Sequence, residues 1–447
     1  MCGIVGYIGN KPAVDILLDG LEQLEYRGYD SSGIAVKCPE EIKVYKAEGK
    51  LKNLREELAP HAYEISKSTL GIGHIRWATH GAPTVVNAHP HTCGCGKLVV
   101  VHNGIIENYK ELKAELEAKG CKFRSQTDTE TVAHLVALIY GEVKDLTKAV
   151  QMATKRLEGA YALCIMHNDE PNKLVATKRN APLVVGVGEN EYYVASDVPA
   201  IIKHTNKAIY IKDNQVVTLT PNSLKLEDEF GGEIIPKVEV LPWEPVALSK
   251  MGFKHFMLKE IHEQPDVIRN ILIGKLHTSD SPIVLDEVKL TKEHLRKLNR
   301  IQVIACGTSL HAAMVGKYII ESFCGIPVDV EASSEYIYRK TVTDEHTLVI
   351  GVSQSGETAD TLTAIKQAKS KGSHVLIITN RPDSTMAREA DSLIPVSAGI
   401  EVSVAATKSY IAQLTSFYLL ALYMAEIKES MPAKELNDIK AEMLVLP

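Results

Sequence analysis

Cys2 stands directly behind the initiator methionine and before an apolar run, Ile4–Ile8, broken by glycine. A small second residue permits trimming of Met1, which would leave a thiol and a free α-amino group on one carbon. The amine has an ordinary pKa of about 7.7–8.0 and the thiol about 8.5, so near neutral pH the amine can accept the thiol proton. Such a residue is a nucleophile with its own base attached. Taken alone, the same dipeptide reads more simply as a small buried residue opening a first strand. The residues further along reverse that reading.

Arg76, in Arg76-Trp77-Ala78-Thr79-His80-Gly81, has a planar fork that suits both oxygens of a carboxylate, although a single arginine is more simply a structural ion pair. Asn103-Gly104 closes a buried-looking strand, Leu98–Val101. An Asn-Gly pair there is usually a turn. Equally, a side-chain amide beside an approachable glycine N–H makes the two-donor oxyanion hole that acyl transfer needs. Asp128 precedes an apolar run, where it is either a plain N-cap or an acid to pair with an ammonium.

Two loops in the second half, Cys306-Gly307-Thr308-Ser309 and Ser353-Gln354-Ser355-Gly356-Glu357-Thr358, each follow a strand and open a helix. Loops rich in hydroxyls and glycine at that position bind phosphate through backbone N–H groups and the positive helix end. Serine or threonine capping explains one such loop; two in successive repeats favour a phosphate site. Neither carries GxGxxG or GK[ST], so a nucleotide is not favoured. His89, His91, Cys93 and Cys95 alternate, but four ligands in a row on one strand face cannot easily surround zinc. That stretch reads as a turn with incidental histidines, and no metal or organic cofactor is expected.

The elements that must position these groups follow from periodicity. A length of 447 residues predicts two or three domains. Net charge −6 and the lack of a Lys/Arg run give no footprint for nucleic acid. The N-terminus lacks a signal-peptide pattern, and Tyr410–Ile427, interrupted by Gln413 and Glu426, reads as a core helix rather than a membrane span. Eight scattered cysteines suggest free thiols in a reducing cytoplasm. Apolar residues at helical spacing predict a helix over Ala13–Glu25, and others follow near Leu51–Leu58 and Asn108–Lys119. Between Gly159 and Thr220, short strands separated by turns read as an antiparallel meander, giving an α+β layered domain over residues 1–225. Residues 226–285, with Gly231-Gly232, Pro236, Pro242 and Pro245, read as a linker and lead-in helix. Strand–loop–helix repeats over 286–430 predict a parallel, doubly wound α/β sheet.

Together, Cys2-Gly3-Ile4-Val5-Gly6, Tyr26-Arg27-Gly28-Tyr29-Asp30-Ser31, Arg76 through Gly81, His102 through Asn108 and Thr127-Asp128-Thr129-Glu130 resemble the N-terminal-nucleophile glutamine amidotransferases. The resemblance implies a layered α/β/β/α domain with antiparallel sheets. It makes Cys2 the nucleophile, Asn103 and Gly104 the oxyanion hole, and Arg76 and Asp128 the clamp for the two ends of glutamine. Trp77, Thr79 and His80 become part of a loop that shields the site. The second-half loops resemble the sugar isomerase (SIS) domain, which implies sugar-phosphate contacts from Cys306, Gly307, Thr308, Ser309, Ser353, Gln354, Ser355 and Thr358. Val404, in Val404-Ala405-Ala406-Thr407-Lys408, would border the same site. The order amidotransferase–linker–SIS resembles the glutamine–fructose-6-phosphate aminotransferase family. That implies glutamine and fructose 6-phosphate as substrates, no nucleic-acid or membrane partner, and a homodimer through SIS domains when complete. The family carries two SIS domains and only one fits here, so residues 431–447, ending in the apolar Met443-Leu444-Val445-Leu446, read as the start of a connection to a second. A stand-alone glutaminase and a sugar-phosphate-binding regulator are the rival readings.

Overall fold

The computed structural model describes residues 2–25, 28–78, 80–241, 251–403 and 405–447. Two compact units, Met1–Val246 and Ala247–Pro447, divide the chain. Strands of the first begin with β1 (Gly3–Ile8), β2 (Ser31–Lys37), β3 (Ile42–Glu48), β4 (Leu70–Arg76), β5 (His91–Thr92), β6 (Leu98–Ile106), β7 (Gly159–His167) and β8 (Leu174–Arg179).

All six residues of β1 are buried, because both of its faces are covered. The helix Ala13–Leu24 packs on one face, and Ile4 and Ile8 meet Val99, Val101 and Ala162 of the opposing sheet on the other. A strand covered on both sides needs a continuous apolar run rather than alternation. β1 lies inside an eight-stranded sheet between Tyr192–Ala195 and β4, with β2 and β3 beyond. A seven-stranded sheet ends in the order β8, β7, β6, β5. Its outer face carries Leu112, Val132, Val136 and Val150 from three helices, Tyr109–Ala118, Thr129–Val143 and Leu146–Thr154. The layers are therefore α/β/β/α, with antiparallel strand pairs.

Two expectations change, and one strand is added. The run Gly159–Thr220 is not one meander: β7, β8 and Val216–Thr220 join the seven-stranded sheet, while Val184–Val187, Tyr192–Ala195 and Lys207–Tyr210 join the other. β3, a strand absent from the sequence reading, forms the sheet edge. Asn103-Gly104 is no turn, since β6 runs through it and pairs Asn103 with Ala162 and Gly104 with Tyr161. At Gly104 φ is 117°, and a Cβ would lie 2.0 Å from the Ala160 carbonyl oxygen. Only glycine lets the two strands approach so closely there.

Residues 226–285, read as a linker and lead-in helix, carry short strands as well as helices. Glu233–Ile234 and Glu239–Val240 extend the two sheets of the first unit. Phe256–His262 and Gln264–Leu272 are helices of the second. Pro242 and Pro245 lie outside the described residues.

The second unit holds a five-stranded parallel sheet in the order Val328–Ala332, Arg300–Ala305, Thr347–Ser353, His374–Thr379, Ser392–Pro395. In chain order that is 2-1-3-4-5, a doubly wound arrangement whose direction reverses between its first and third strands. Among the described residues one helix, Lys408–Lys428, is long and apolar enough to cross a membrane, and 61% of its apolar window is buried within the fold. It packs on the helix Gly307–Cys324, where Gly316 makes room for the Phe417 ring. The helix Ala433–Val445 follows, placing Leu436 and Met443 in the core of this unit.

Candidate active site

β1 and β4 bring Cys2 and Arg76 together, since Gly3 pairs with Ile75. The thiol sits against the next residue: Trp77 N–H points to Cys2 Sγ at 3.3 Å, and Sγ approaches Trp77 O at 3.5 Å. Burial pushes the thiol pKa up, opposed chiefly by the Trp77 N–H. Asn103 Nδ2 donates to the Cys2 carbonyl at 3.3 Å. Cys2, Arg76, Trp77, His80, Gly104 and Asp128 line one cleft, together with His89, His102, Thr127 and Thr129.

Two strand ends hold the cleft's rim. Asp30 accepts the Ala78 N–H at 2.5 Å, its own N–H donates to Arg76 O, and Gly28 passes beneath the Trp77 ring. The buried Arg76 guanidinium donates to the carbonyls of His80, Gly81 and Ala82. His80 Nδ1 is buried with no hydrogen-bond partner among the described residues. Asp128 precedes the helix Thr129–Val143 but makes no side-chain cap; its carboxylate instead accepts Ile106 N–H at 2.8 Å. The simple N-cap reading is thereby replaced by a carboxylate tied to β6. Thr79 lies outside the described residues.

His89 and His91, taken as incidental, are buried and bonded, as are His74 and His102. His74 Nε2 meets Asn103 Oδ1 at 2.9 Å, His89 Nδ1 meets His74 Nδ1 at 2.9 Å, and Thr129 Oγ1 meets both His89 Nε2 and His102 Nδ1 at 2.9 Å. Burial lowers the pKa of all three rings, that of His74 to about 3. Each neutral imidazole has one proton, and Asn103 Oδ1 only accepts. The chain therefore has one direction: His102 to Thr129, Thr129 to His89, His89 to His74, His74 to Asn103. That direction turns the Asn103 amide nitrogen toward Cys2. His91, also depressed by burial, meets Thr127 Oγ1 at 3.1 Å.

These rings make the fold acid-sensitive. Unfolded His74 binds a proton near pH 6.5, but in the fold only near 3. Between those values the unfolded chain holds more protons, so stability is full above pH 6.5 and falls as pH drops toward 3. One such ring removes up to about 1.4 kcal/mol per pH unit. Urea midpoints at pH 7.5 and 5.5 should differ accordingly, and equal midpoints would refute buried neutral rings.

In the second unit the two hydroxyl-rich loops leave the first and third strands, on either side of the point where strand order reverses, the usual crevice for a ligand in such sheets. Ser309, buried at the start of the helix Gly307–Cys324, accepts from Gln413 Nε2 at 3.0 Å, and Thr361 Oγ1 lies 3.9 Å from Cys306 Sγ. Gly307 and Thr308 are exposed at that helix N-terminus. Ser353 Oγ bonds Thr358 Oγ1 at 2.9 Å and accepts Gly356 N–H at 3.0 Å, while Ser355 Oγ accepts Glu357 N–H at 3.2 Å. Gln354 O accepts Asn380 N–H at 3.2 Å. Val404 lies outside the described residues. Gly356 has φ +64°, and a Cβ there would lie 2.0 Å from Ser384 Oγ. Gly356→Ala is expected to lower stability by about 1–3 kcal/mol through the strained backbone and displaced loop. A thermal melt within 1 °C of wild type would contradict this.

A glutamine amidotransferase domain model matches residues 83–203 and a SIS domain model residues 294–423. The chain is 47% identical over 447 residues to a glutamine–fructose-6-phosphate aminotransferase [isomerizing] of Clostridium tetani, covering all of this chain and 72% of that protein. The same identity and coverage hold for the one from Caldanaerobacter subterraneus. The chain belongs to the glutamine–fructose-6-phosphate aminotransferase family. Among solved structures it is similar to the C-terminal domain of glucosamine-fructose-6-phosphate aminotransferase from Francisella tularensis, at 38% identity and TM-score 0.41, over 44% of this chain and 55% of that one. Within this family member, His89, Thr127 and Thr129 line the cleft and His74 bonds Asn103 beside it, although the sequence reading gave none of the four a role in the site. A signal was present: three histidines within apolar strands or beside them have no solvent to satisfy their ring nitrogens.

Proposed function

We propose that this chain hydrolyses glutamine at Cys2 and delivers the ammonia to fructose 6-phosphate, giving glutamate and glucosamine 6-phosphate. Once Met1 is removed, the Cys2 amine takes the thiol proton and sulfur attacks the side-chain amide carbon. Asn103 Nδ2 and the Gly104 N–H hold the oxyanion. Collapse of that intermediate breaks the C–N bond, and the protonated amine returns its proton to the leaving ammonia. Water then cleaves the thioester to glutamate. Arg76 takes the substrate α-carboxylate and Asp128 the α-ammonium, while Trp77, Thr79 and His80 screen the cleft from water. In the second unit Cys306, Gly307, Thr308, Ser309, Ser353, Gln354, Ser355, Thr358 and Val404 hold the sugar phosphate, drawing on helix N-terminal amides.

The observation that carries this reading is the convergence of Cys2, Gly104, Arg76 and Asp128 on one cleft, with Asn103 bonded to the Cys2 carbonyl. Incubating the purified chain with glutamine and fructose 6-phosphate, and measuring glutamate and amino sugar separately, tests it. Glutamate without amino sugar would reduce the activity to a glutaminase; neither product would remove the assignment.

A further inference from the structure

Beyond β5, the chain turns back into β6 through Cys93-Gly94-Cys95-Gly96-Lys97. Gly96 N–H donates to Cys93 O at 3.0 Å and Cys93 N–H to Leu98 O at 3.1 Å. The two cysteines thus occupy the first and third positions of a hydrogen-bonded turn. Gly96, at φ +72°, lets the chain leave it. Their sulfurs stand 2.9 Å apart. Cys93 is buried and Cys95 exposed.

We propose that Cys93 and Cys95 form a thiol–disulfide exchange site, whose substrate is a small-molecule disulfide. The mechanism of the amidotransferase reaction does not use either residue. The Cys95 thiolate attacks one sulfur of the incoming disulfide; that S–S bond breaks, and the leaving thiolate takes up the proton Cys95 released. Cys93 then attacks the Cys95 sulfur, a Cys93–Cys95 bond forms, and the second small thiol leaves with the proton of Cys93. Two protein thiols are oxidised and one small disulfide is reduced to two thiols. Exposure assigns the first attack to Cys95, because burial raises the Cys93 pKa and withholds its thiolate. Closure needs no chain ordering, since the turn already holds the sulfurs together. A disulfide whose Cys95 sulfur is exposed can be attacked there by a small thiol, so the pair follows the oxidation state of the surrounding thiol pool.

The test uses the full chain and oxidised glutathione. Tryptic cleavage releases Trp77–Lys97, which contains Cys93 and Cys95 and no other cysteine. After incubation and blocking of free thiols, mass spectrometry should find this peptide lighter by two hydrogens, unblocked, and restored by dithiothreitol. C93S should keep a glutathione adduct on Cys95, and C95S should give neither adduct nor loss of hydrogen. A wild-type peptide that stays fully reduced, or that carries glutathione without closing, would overturn the proposal. So would C93S without an adduct. None of these readouts depends on glutamine turnover.

Discussion

Cys2→Ala is expected to lower glutamine hydrolysis by about 10⁴-fold or more while leaving the protein folded. Removing a covalent nucleophile costs on that order because no other group supplies the attacking electron pair. The sulfur is half-buried at the mouth of a cleft rather than inside the core. Alanine keeps the strand register, since β1 is paired from Gly3 onward with Ile75 and the hydrophobic seam begins at Ile4. Thermal melts should therefore shift by only a few degrees. Glutamate release by Cys2→Ala at the wild-type rate would place the nucleophile elsewhere and dismantle the mechanism.

Asn103→Ala is expected to lower kcat by about 10²–10³-fold, the usual loss for one oxyanion donor. The amide meets charge that develops only after attack, so KM for glutamine should stay within about threefold and kcat/KM should fall with kcat. Asn103→Asp distinguishes donor chemistry from bulk. A carboxylate fills the same space but offers no N–H toward Cys2, and His74 would still donate to one of its oxygens. Both variants should be equally slow. An aspartate variant close to wild type would show that the side chain only fills space.

Much of the layered fold was legible because its strands obey simple patterns. β1 announced itself as an apolar run, and the paired loops after Ala305 and Val352 announced a parallel sheet. Pairing partners were less legible. Nothing within Leu183–Val187 says which of two stacked sheets will take it, since both offer an apolar face; only register with Tyr192–Ala195 decides. Local turn statistics misplaced Asn103-Gly104 because the approach of Ala160, a residue 56 positions after Gly104, lies beyond any local window. The histidines were missed for a similar reason. His74, His89 and His102 come from three separate stretches, and only folding closes them into one chain ending at Asn103. Cys2, Arg76 and Asp128, which line one cleft, stood out in the sequence because their chemistry is written in residue type.

Arg76 already grips the carbonyls of residues 80–82. In the proposed role an arriving carboxylate would enter as a competitor, exchanging one set of partners for another, and its net grip would be the difference between them. Such a trade keeps the resting complex shallow, sparing the enzyme a deep well from which reaction must climb. On the same proposal, the glutamate left behind would be shed as the rim reclaims its cation.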